Sequence, residues 1–115
     1  MKISDIKELP KYFEHYVNSN EDLELEEAFI KSLKQIENTD IEKLKRIGSK
    51  VYAENKWTVN KVIQHVTDWE RIWCYRILVS VRNEGEIPRG LDQNIMADNS
   101  NADKLPVEKL LSELH

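Results

Sequence analysis

The sequence predicts an all-α fold, and three observations carry this prediction. Apolar residues recur at steps of three and four residues over several stretches of the chain. No stretch shows the alternation of apolar and polar residues that is typical of a half-buried strand. Only three glycines and three prolines interrupt 115 residues, of which 40% are hydrophobic. We therefore expect an antiparallel up-and-down helix bundle, formed by a single domain over residues 1–115.

Two helices are predicted in the first half of the chain. Residues 21–37 form the first, because four apolar residues share one face: Leu25, Phe29, Leu33 and Ile36. A short helix follows, since Thr39 and Glu42 have the spacing of a capping box and Gly48 supplies a stop. The residues before position 21 contain one proline and an aromatic cluster, which predict an N-terminal arm or a short helix: Pro10, Tyr12, Phe13 and Tyr16.

The strongest predicted element is a helix from Val59 to about Asn83. Thr58 is a good N-cap, and Asn83-Glu84-Gly85 supplies a stop. At about 100° per residue, one stripe of this helix is apolar and should face the core: Val62, Val66, Trp69, Trp73 and Ile77. Four polar residues should point away from the centre of that stripe: Asn60, Gln64, Asp68 and Arg71.

The last third of the chain predicts a loop and then the start of another helix. Residues 86–104 contain Pro88, Gly90 and a run of Asn, Asp and Ser, so we interpret them as a loop. Pro106 suits the first turn of a helix whose apolar residues repeat up to His115: Val107, Leu110, Leu111 and Leu114. No stop signal follows, and an amphipathic face must be buried. We therefore expect a bundle that is incomplete at its C-terminus, or one that oligomerisation completes.

Composition excludes several classes of function. There are 17 basic and 21 acidic residues, a formal charge of −4, so no basic excess is present to bind nucleic acid. No apolar run approaches the roughly 20 residues needed to cross a bilayer, so no membrane partner is expected. Cys74 is the one cysteine and cannot form an internal disulfide, which indicates a reducing, cytoplasmic location.

Local motifs for metal or nucleophilic chemistry are absent from the sequence. His15, His65 and His115 are too scattered for a local metal motif, and there is no HExxH or CxxC. Cys74 lies off the apolar stripe, so we do not expect it to be a nucleophile. The acidic residues at the start of the first helix suit its dipole and predict a solvated face: Glu21, Asp22, Glu24, Glu26 and Glu27.

Two polar residues of the long helix leave alternatives open. His65 lies roughly 60° from the centre of the apolar stripe, so it should face the seam between helices. It is either a partly buried histidine hydrogen-bonded to a neighbouring helix, or a metal ligand or acid–base group in the bundle interior. Arg76 is also on the seam side, and pairing with a glutamate of the first helix is favoured over an anion-binding role. Trp69 and Trp73 are interpreted as core.

An ordered set of residues resembles the DinB-like, damage-inducible four-helix bundle family. It begins with Pro10-Lys11-Tyr12-Phe13 and Tyr16, and continues with Lys56-Trp57-Thr58, Val62, His65, Asp68, Glu70 and Tyr75-Arg76. In the predicted loop it includes Pro88, Gly90-Leu91-Asp92-Gln93 and Asn99-Ser100-Asn101-Ala102. The resemblance covers nearly the whole chain.

The resemblance implies a four-helix bundle that commonly dimerises and often holds a divalent metal with three histidines. His65 matches the ligand on the second long helix. The other two ligands form a His-x-x-x-His pair on the last helix, and this sequence has no such pair. Leu111 to His115 resembles the middle of the family's third helix, so the 115 residues correspond to the N-terminal two-thirds of the family fold.

These observations give two hypotheses of function. In the first, the protein is a metal-dependent transferase or hydrolase that activates a thiol or water, with His65 as one ligand of a zinc, nickel or iron ion and a small molecule as substrate. The 115 residues alone should then hold little metal. In the second, it is a non-catalytic helical module that pairs with itself, as a homodimer, or with another protein.

Overall fold

The computed structural model describes residues 1–9, 11–82 and 89–115. Over these ranges the chain forms α-helices, single 3₁₀ turns at Ile3–Asp5 and Ala102–Lys104, and no strand, which confirms the all-α prediction. The helices are α1 (Glu14–Asn18), α2 (Leu25–Glu37), α3 (Ile41–Ile47), α4 (Val59–Val81), α5 (Gln93–Asn99) and α6 (Val107–Leu114). No helix within the described ranges has the length and apolar character required to span a membrane.

The chain divides into two compact units, Met1–Thr39 and Asp40–His115. The first contains α1 and α2, and the second contains α3 to α6. A single domain over residues 1–115 and an antiparallel up-and-down arrangement stay predictions.

In the first unit, α2 begins at Leu25 instead of residue 21, because the acidic residues before it bind the chain's N-terminal residues. The Met1 ammonium group donates to Glu24 Oε2 over 2.6 Å, and the Ser4 N–H donates to Asp22 Oδ1 over 2.9 Å. The hydrogen bond to Glu24 raises the pKa of the Met1 ammonium group, and the hydrogen bond from Ser4 lowers the pKa of Asp22. These contacts tie the residues just before α2 to the N-terminus of the chain.

The remaining acidic residues of this segment are exposed, as the solvated face requires. Glu21 forms an ion pair with Lys31 of α2. The short helix α1 confirms one of the two alternatives for the N-terminal segment, since it includes Tyr16. Pro10 lies outside the described residues.

The core of the second unit forms where α4, α6 and the Ala102–Lys104 turn meet. Its buried residues are Ile63, Ala102, Val107 and Leu110. Partly buried residues packed against them come from α3, α4 and α6 and the residue before Pro106: Ile41, Leu44, Val59, Leu105, Leu111 and Leu114. The apolar repeat predicted for the last helix therefore faces this core.

The long helix α4 starts where the sequence predicts. Thr58 is its N-cap, and the Thr58 hydroxyl oxygen accepts a hydrogen bond from the Lys61 N–H over 3.2 Å. The helix ends at Val81 in the described range. The predicted stop at residues 83–85 lies outside the described residues.

The prediction of which face of α4 is buried is wrong. The buried residues are Ile63 and Thr67, whereas Val62 and Val66 are 46% and 40% exposed. Asn60, which should point away, is half-buried. The reason is that α6 and the Ala102–Lys104 turn pack on the side of α4 about 100° from the apolar stripe, and a one-residue step along a helix is a 100° rotation.

The prediction of a loop over residues 86–104 is wrong within the described range 89–104. This segment forms α5 and a 3₁₀ turn. Asp92 caps α5, because its carboxylate accepts hydrogen bonds from the N–H groups of Asn94 and Ile95. The small residues Ala97 and Ala102 are buried. A cap and two alanines supply the helical signal that the Asn and Asp content obscured.

The capping box predicted for α3 is also wrong, although the helix itself is confirmed. Asp40 is the N-cap, and its carboxylate accepts a hydrogen bond from the Lys43 N–H over 2.9 Å. The Thr39 hydroxyl instead donates to the carbonyl oxygen of Gln35. Gly48 ends the helix as predicted, with φ of 56°, a conformation that glycine adopts without steric cost.

Candidate functional site

One row of aromatic and basic side chains runs along α4 and supplies the candidate functional site. His65, Trp69 and Trp73 are four residues apart, and Arg76 follows one turn later. Residues at this spacing are neighbours on a helix surface. Trp57, just before the Thr58 cap, joins the row from outside the helix. We call these five residues the aromatic row.

His65 lies half-buried between two indole rings. Its ring centroid is 4.8 Å from that of Trp57 and 6.0 Å from that of Trp69. The ring is therefore held by packing rather than placed in bulk water. An indole nitrogen is a donor only, so these two neighbours cannot act as metal ligands.

A metal ion at His65 needs further ligands that its neighbours in the row do not supply. Among residues 1–9, 11–82 and 89–115, no group of three or more His, Cys, Asp or Glu side chains is arranged to hold a metal ion. His15 lies in the other unit and packs against Tyr16, with ring centroids 5.8 Å apart. His65 as a ligand stays a prediction.

Arg76 makes contacts that the sequence interpretation missed. Its guanidinium carbon lies 5.5 Å from the ring centroid of Trp69 and 5.2 Å from that of Trp73. Its Nη2 donates to the carbonyl oxygen of Arg89 at 3.5 Å. The sequence does contain a signal for this cation–π arrangement. Arg76 follows Trp73 by three residues and Trp69 by seven, which places all three side chains on one side of a helix. Pairing of Arg76 with a glutamate of the first helix stays a prediction.

Two polar atoms of the aromatic row are buried without a hydrogen-bond partner. They are Trp69 Nε1 and Arg76 Nε, and neither has an acceptor among the described residues. Both are N–H donors. The row therefore combines a positive charge, two indole faces and two unused donors.

Beyond the aromatic row, α4 exposes large apolar side chains. The more exposed members of the predicted stripe and its C-terminal extension form what we call the outer face of α4: Val62, Val66, Trp73, Ile77 and Val81. Trp73 is 41% exposed and Val81 76%. Single exposed apolar residues are ordinary, but a series along one helix is typical of a surface that binds another protein. Cys74 is exposed and free, and no contact indicates a nucleophile.

A separate cavity of about 470 Å³ lies between α3, α4 and α6. Its lining does not include the aromatic row and consists of Leu44, Lys45, Gly48, Ser49, Asn60, Asp103, Pro106, Val107 and Glu108. Lys45 Nζ lies 2.6 Å from Glu108 Oε1 and 3.0 Å from Glu42 Oε1. The hydrogen bond to Glu108 raises the pKa of Lys45 and lowers that of Glu108. Two of the charged lining residues, Lys45 and Glu108, therefore pair with each other, and the third, Asp103, accepts a hydrogen bond from the Thr58 hydroxyl.

No protein-family model, curated protein or solved structure matches this chain. The DinB-like resemblance therefore rests on the residues quoted from the sequence and stays a prediction.

Proposed function

We propose that this chain is a DinB-like helical domain of a divalent-metal-dependent transferase or hydrolase in which His65 is one ligand. The position of the His65 ring supports the proposal. It is half-buried on the longest helix and fixed between Trp57 and Trp69 at 4.8 and 6.0 Å. Packing of this kind holds an imidazole in one orientation, which a metal ligand requires.

Three residues of the aromatic row have a defined part in this proposal. His65 presents an imidazole nitrogen, while Trp57 and Trp69 limit water access to its ring. A zinc-, nickel- or iron-type ion held by three such imidazoles supplies a bound water or thiol of lowered pKa. The two remaining imidazoles come from outside the aromatic row. Small-molecule substrates follow from the same chemistry.

Metal titration of the full-length protein tests the proposal. We expect Zn²⁺ or Ni²⁺ to bind stoichiometrically in isothermal titration calorimetry and the affinity to fall by at least about tenfold in His65→Ala, as loss of one metal ligand requires. His15→Ala is the matched control and should bind as wild type does. Equal affinities for wild type and His65→Ala would contradict the assignment.

The outer face of α4 favours a second candidate function, a non-catalytic helical module that forms a homodimer. Its support is the exposure of Trp73, Ile77 and Val81, at 41%, 59% and 76%. A second copy of the chain can cover the same face in an isologous dimer.

Sedimentation velocity over a wide concentration range tests this candidate. The wild-type protein should dimerise, and Ile77→Asp should shift the equilibrium to monomer because it places a charge in the contact. Tyr52→Asp is the control, since Tyr52 is 85% exposed and lies outside α4. A wild-type protein that stays monomeric at all concentrations excludes the dimer.

A further inference from the structure

Trp69 and Arg76 present two buried N–H groups that lack an acceptor. Trp69 Nε1 and Arg76 Nε are both inaccessible to solvent and unpaired among the described residues. Buried donors in folded proteins are nearly always hydrogen-bonded, because leaving one unpaired costs its full desolvation. Two such donors within one cluster indicate a binding position for an acceptor.

The charge of the cluster defines the chemistry of that acceptor. The Arg76 guanidinium lies against two indole rings, at 5.5 and 5.2 Å, and these contacts take part of its surface out of water. Its hydrogen-bond partner, the carbonyl oxygen of Arg89, is neutral. A water molecule could satisfy an N–H group but would leave the charge uncompensated. An anion with two acceptor oxygens satisfies both requirements.

We propose that Trp69 and Arg76 bind the carboxylate of a small organic monoacid. One carboxylate oxygen accepts from Arg76 Nε–H and the other from Trp69 Nε1–H, which are charge-assisted and neutral donors respectively. The carbonyl oxygen of Arg89 already accepts from Arg76 Nη2, so the proposed carboxylate uses the Nε–H group.

The surroundings of the pair select an acid with an apolar carbon chain. Trp73 borders the guanidinium and is 41% exposed, so its indole offers an apolar surface beside the carboxylate. Ile77, one turn further, is 59% exposed and extends that surface. A medium-chain acid such as hexanoate should therefore bind more tightly than acetate, since each buried CH₂ contributes about 0.8 kcal/mol, or about fourfold in affinity.

This site does not depend on a metal at His65. His65 and Arg76 are eleven positions apart, about 17 Å along a helix at 1.5 Å per residue, and Trp69 lies beside both. The acid is proposed to bind to metal-free protein. The carboxylate site would therefore remain valid if His65 proved not to bind a metal, and His65 could bind a metal if the carboxylate site proved wrong.

Tryptophan fluorescence gives a direct test, because two of the three tryptophans contact Arg76. Metal-free protein is titrated with hexanoate and with hexanamide, its neutral analogue. We expect a saturable fluorescence change with hexanoate and none with hexanamide. The affinity for hexanoate should fall at least about tenfold in Arg76→Met and about threefold to tenfold in Trp69→Phe, in proportion to the donors removed.

Matched variants separate binding from folding. Arg71→Met removes an exposed arginine of the same helix and should bind hexanoate as wild type does. Arg76→Lys keeps the charge without the planar donors, so its affinity should lie between those of wild type and Arg76→Met. Circular dichroism verifies that each variant is folded. Absence of a saturable response in wild type, an equal response to hexanamide, or equal affinity in folded Arg76→Met would overturn the proposal.

Discussion

The side-chain amide of Asn60 donates to the backbone carbonyl oxygen of Ala102 over 3.0 Å, 42 residues further along the chain. The same nitrogen donates to the carbonyl oxygen of Leu105, also at 3.0 Å. These bonds join the first turn of α4 to both ends of the segment that leads into α6. Ala102 is completely buried, and its carbonyl oxygen accepts a second hydrogen bond from the Leu105 N–H over 3.1 Å.

Replacing Asn60 with alanine should therefore destabilise the second unit. We expect Asn60→Ala to lower the free energy of unfolding by about 1–3 kcal/mol, since the two carbonyl groups lose their side-chain donor. Urea denaturation followed by circular dichroism measures the change. Asn94→Ala, at an exposed position of α5, should change stability by less than about 0.5 kcal/mol. Equal stability of the Asn60 variant and wild type would show that these carbonyls are satisfied without Asn60.

Leu110 should be the most sensitive apolar position of the chain. It is 1% exposed and the largest fully buried side chain of the described residues. Leu110→Ala should cost about 2–5 kcal/mol, because it removes buried methyl groups and leaves a cavity. Leu91→Ala is the control, since Leu91 is 52% exposed and should lose much less. Thermal and urea unfolding of both variants measure the difference, and equal losses would contradict the position of this core.

Helix periodicity was enough to predict where α4 begins, but not which of its sides is buried. Val62, Val66 and Trp73 repeat at helical spacing, yet each of the three is 40% exposed or more. The buried side contains Thr67 and Asn60, whose polar groups bond to the carbonyls of Ile63, Ala102 and Leu105. A polar residue that donates a hydrogen bond to a carbonyl group far away in the chain cannot be told from a surface residue by sequence alone. Its partner is brought near only by the tertiary fold.

The aromatic row was foreseen only in part. The His65 ring is half-buried between Trp57 and Trp69, and its place at a seam between helices stays a prediction. The stacking of Arg76 on two indoles was not foreseen, because an arginine among apolar residues first suggests an ion pair. The helix α5 was missed for a different reason: its Asn and Asp residues favour loops in general, but Asp92 acts as a cap.

Thr58 should stabilise α4 through two contacts. Its hydroxyl oxygen accepts from the Lys61 N–H, and its hydroxyl hydrogen is donated to Asp103 Oδ1. We expect Thr58→Ala to lower stability by about 0.5–2 kcal/mol, the range for loss of an N-cap. Thr58→Ser keeps the hydroxyl and should retain most of the stability. Denaturant unfolding of the two variants separates the contribution of the capping hydroxyl from that of the threonine methyl group. An equal loss of stability in both variants would exclude the hydroxyl as the cause.

The ion pair of Lys45 and Glu108 should make stability depend on pH in two defined windows. The hydrogen bond to Lys45 lowers the pKa of Glu108 below its ordinary 4.5, so this contribution is present above pH 4.5 and is lost as the pH falls through the lowered pKa. The hydrogen bond to Glu108 raises the pKa of Lys45 above its ordinary 10.5, so that contribution is present below pH 10.5 and is lost as the pH rises through the raised pKa.

Glu108→Gln should therefore differ from wild type mainly between these two limits. Both side chains are nearly half exposed, at 45% and 44%, so the difference should be small and should shrink further in about 1 M salt, where exposed charges are screened. Glu42→Gln is the matched control, because Glu42 also pairs with Lys45 but is the weaker partner, at 3.0 Å. Urea unfolding from pH 3 to pH 7, in steps of about one pH unit, measures how stability changes as Glu108 is protonated. The difference in stability between wild type and Glu108→Gln should disappear below the lowered pKa of Glu108. If it persists there unchanged, packing of the Glu108 side chain, and not its carboxylate charge, is the cause.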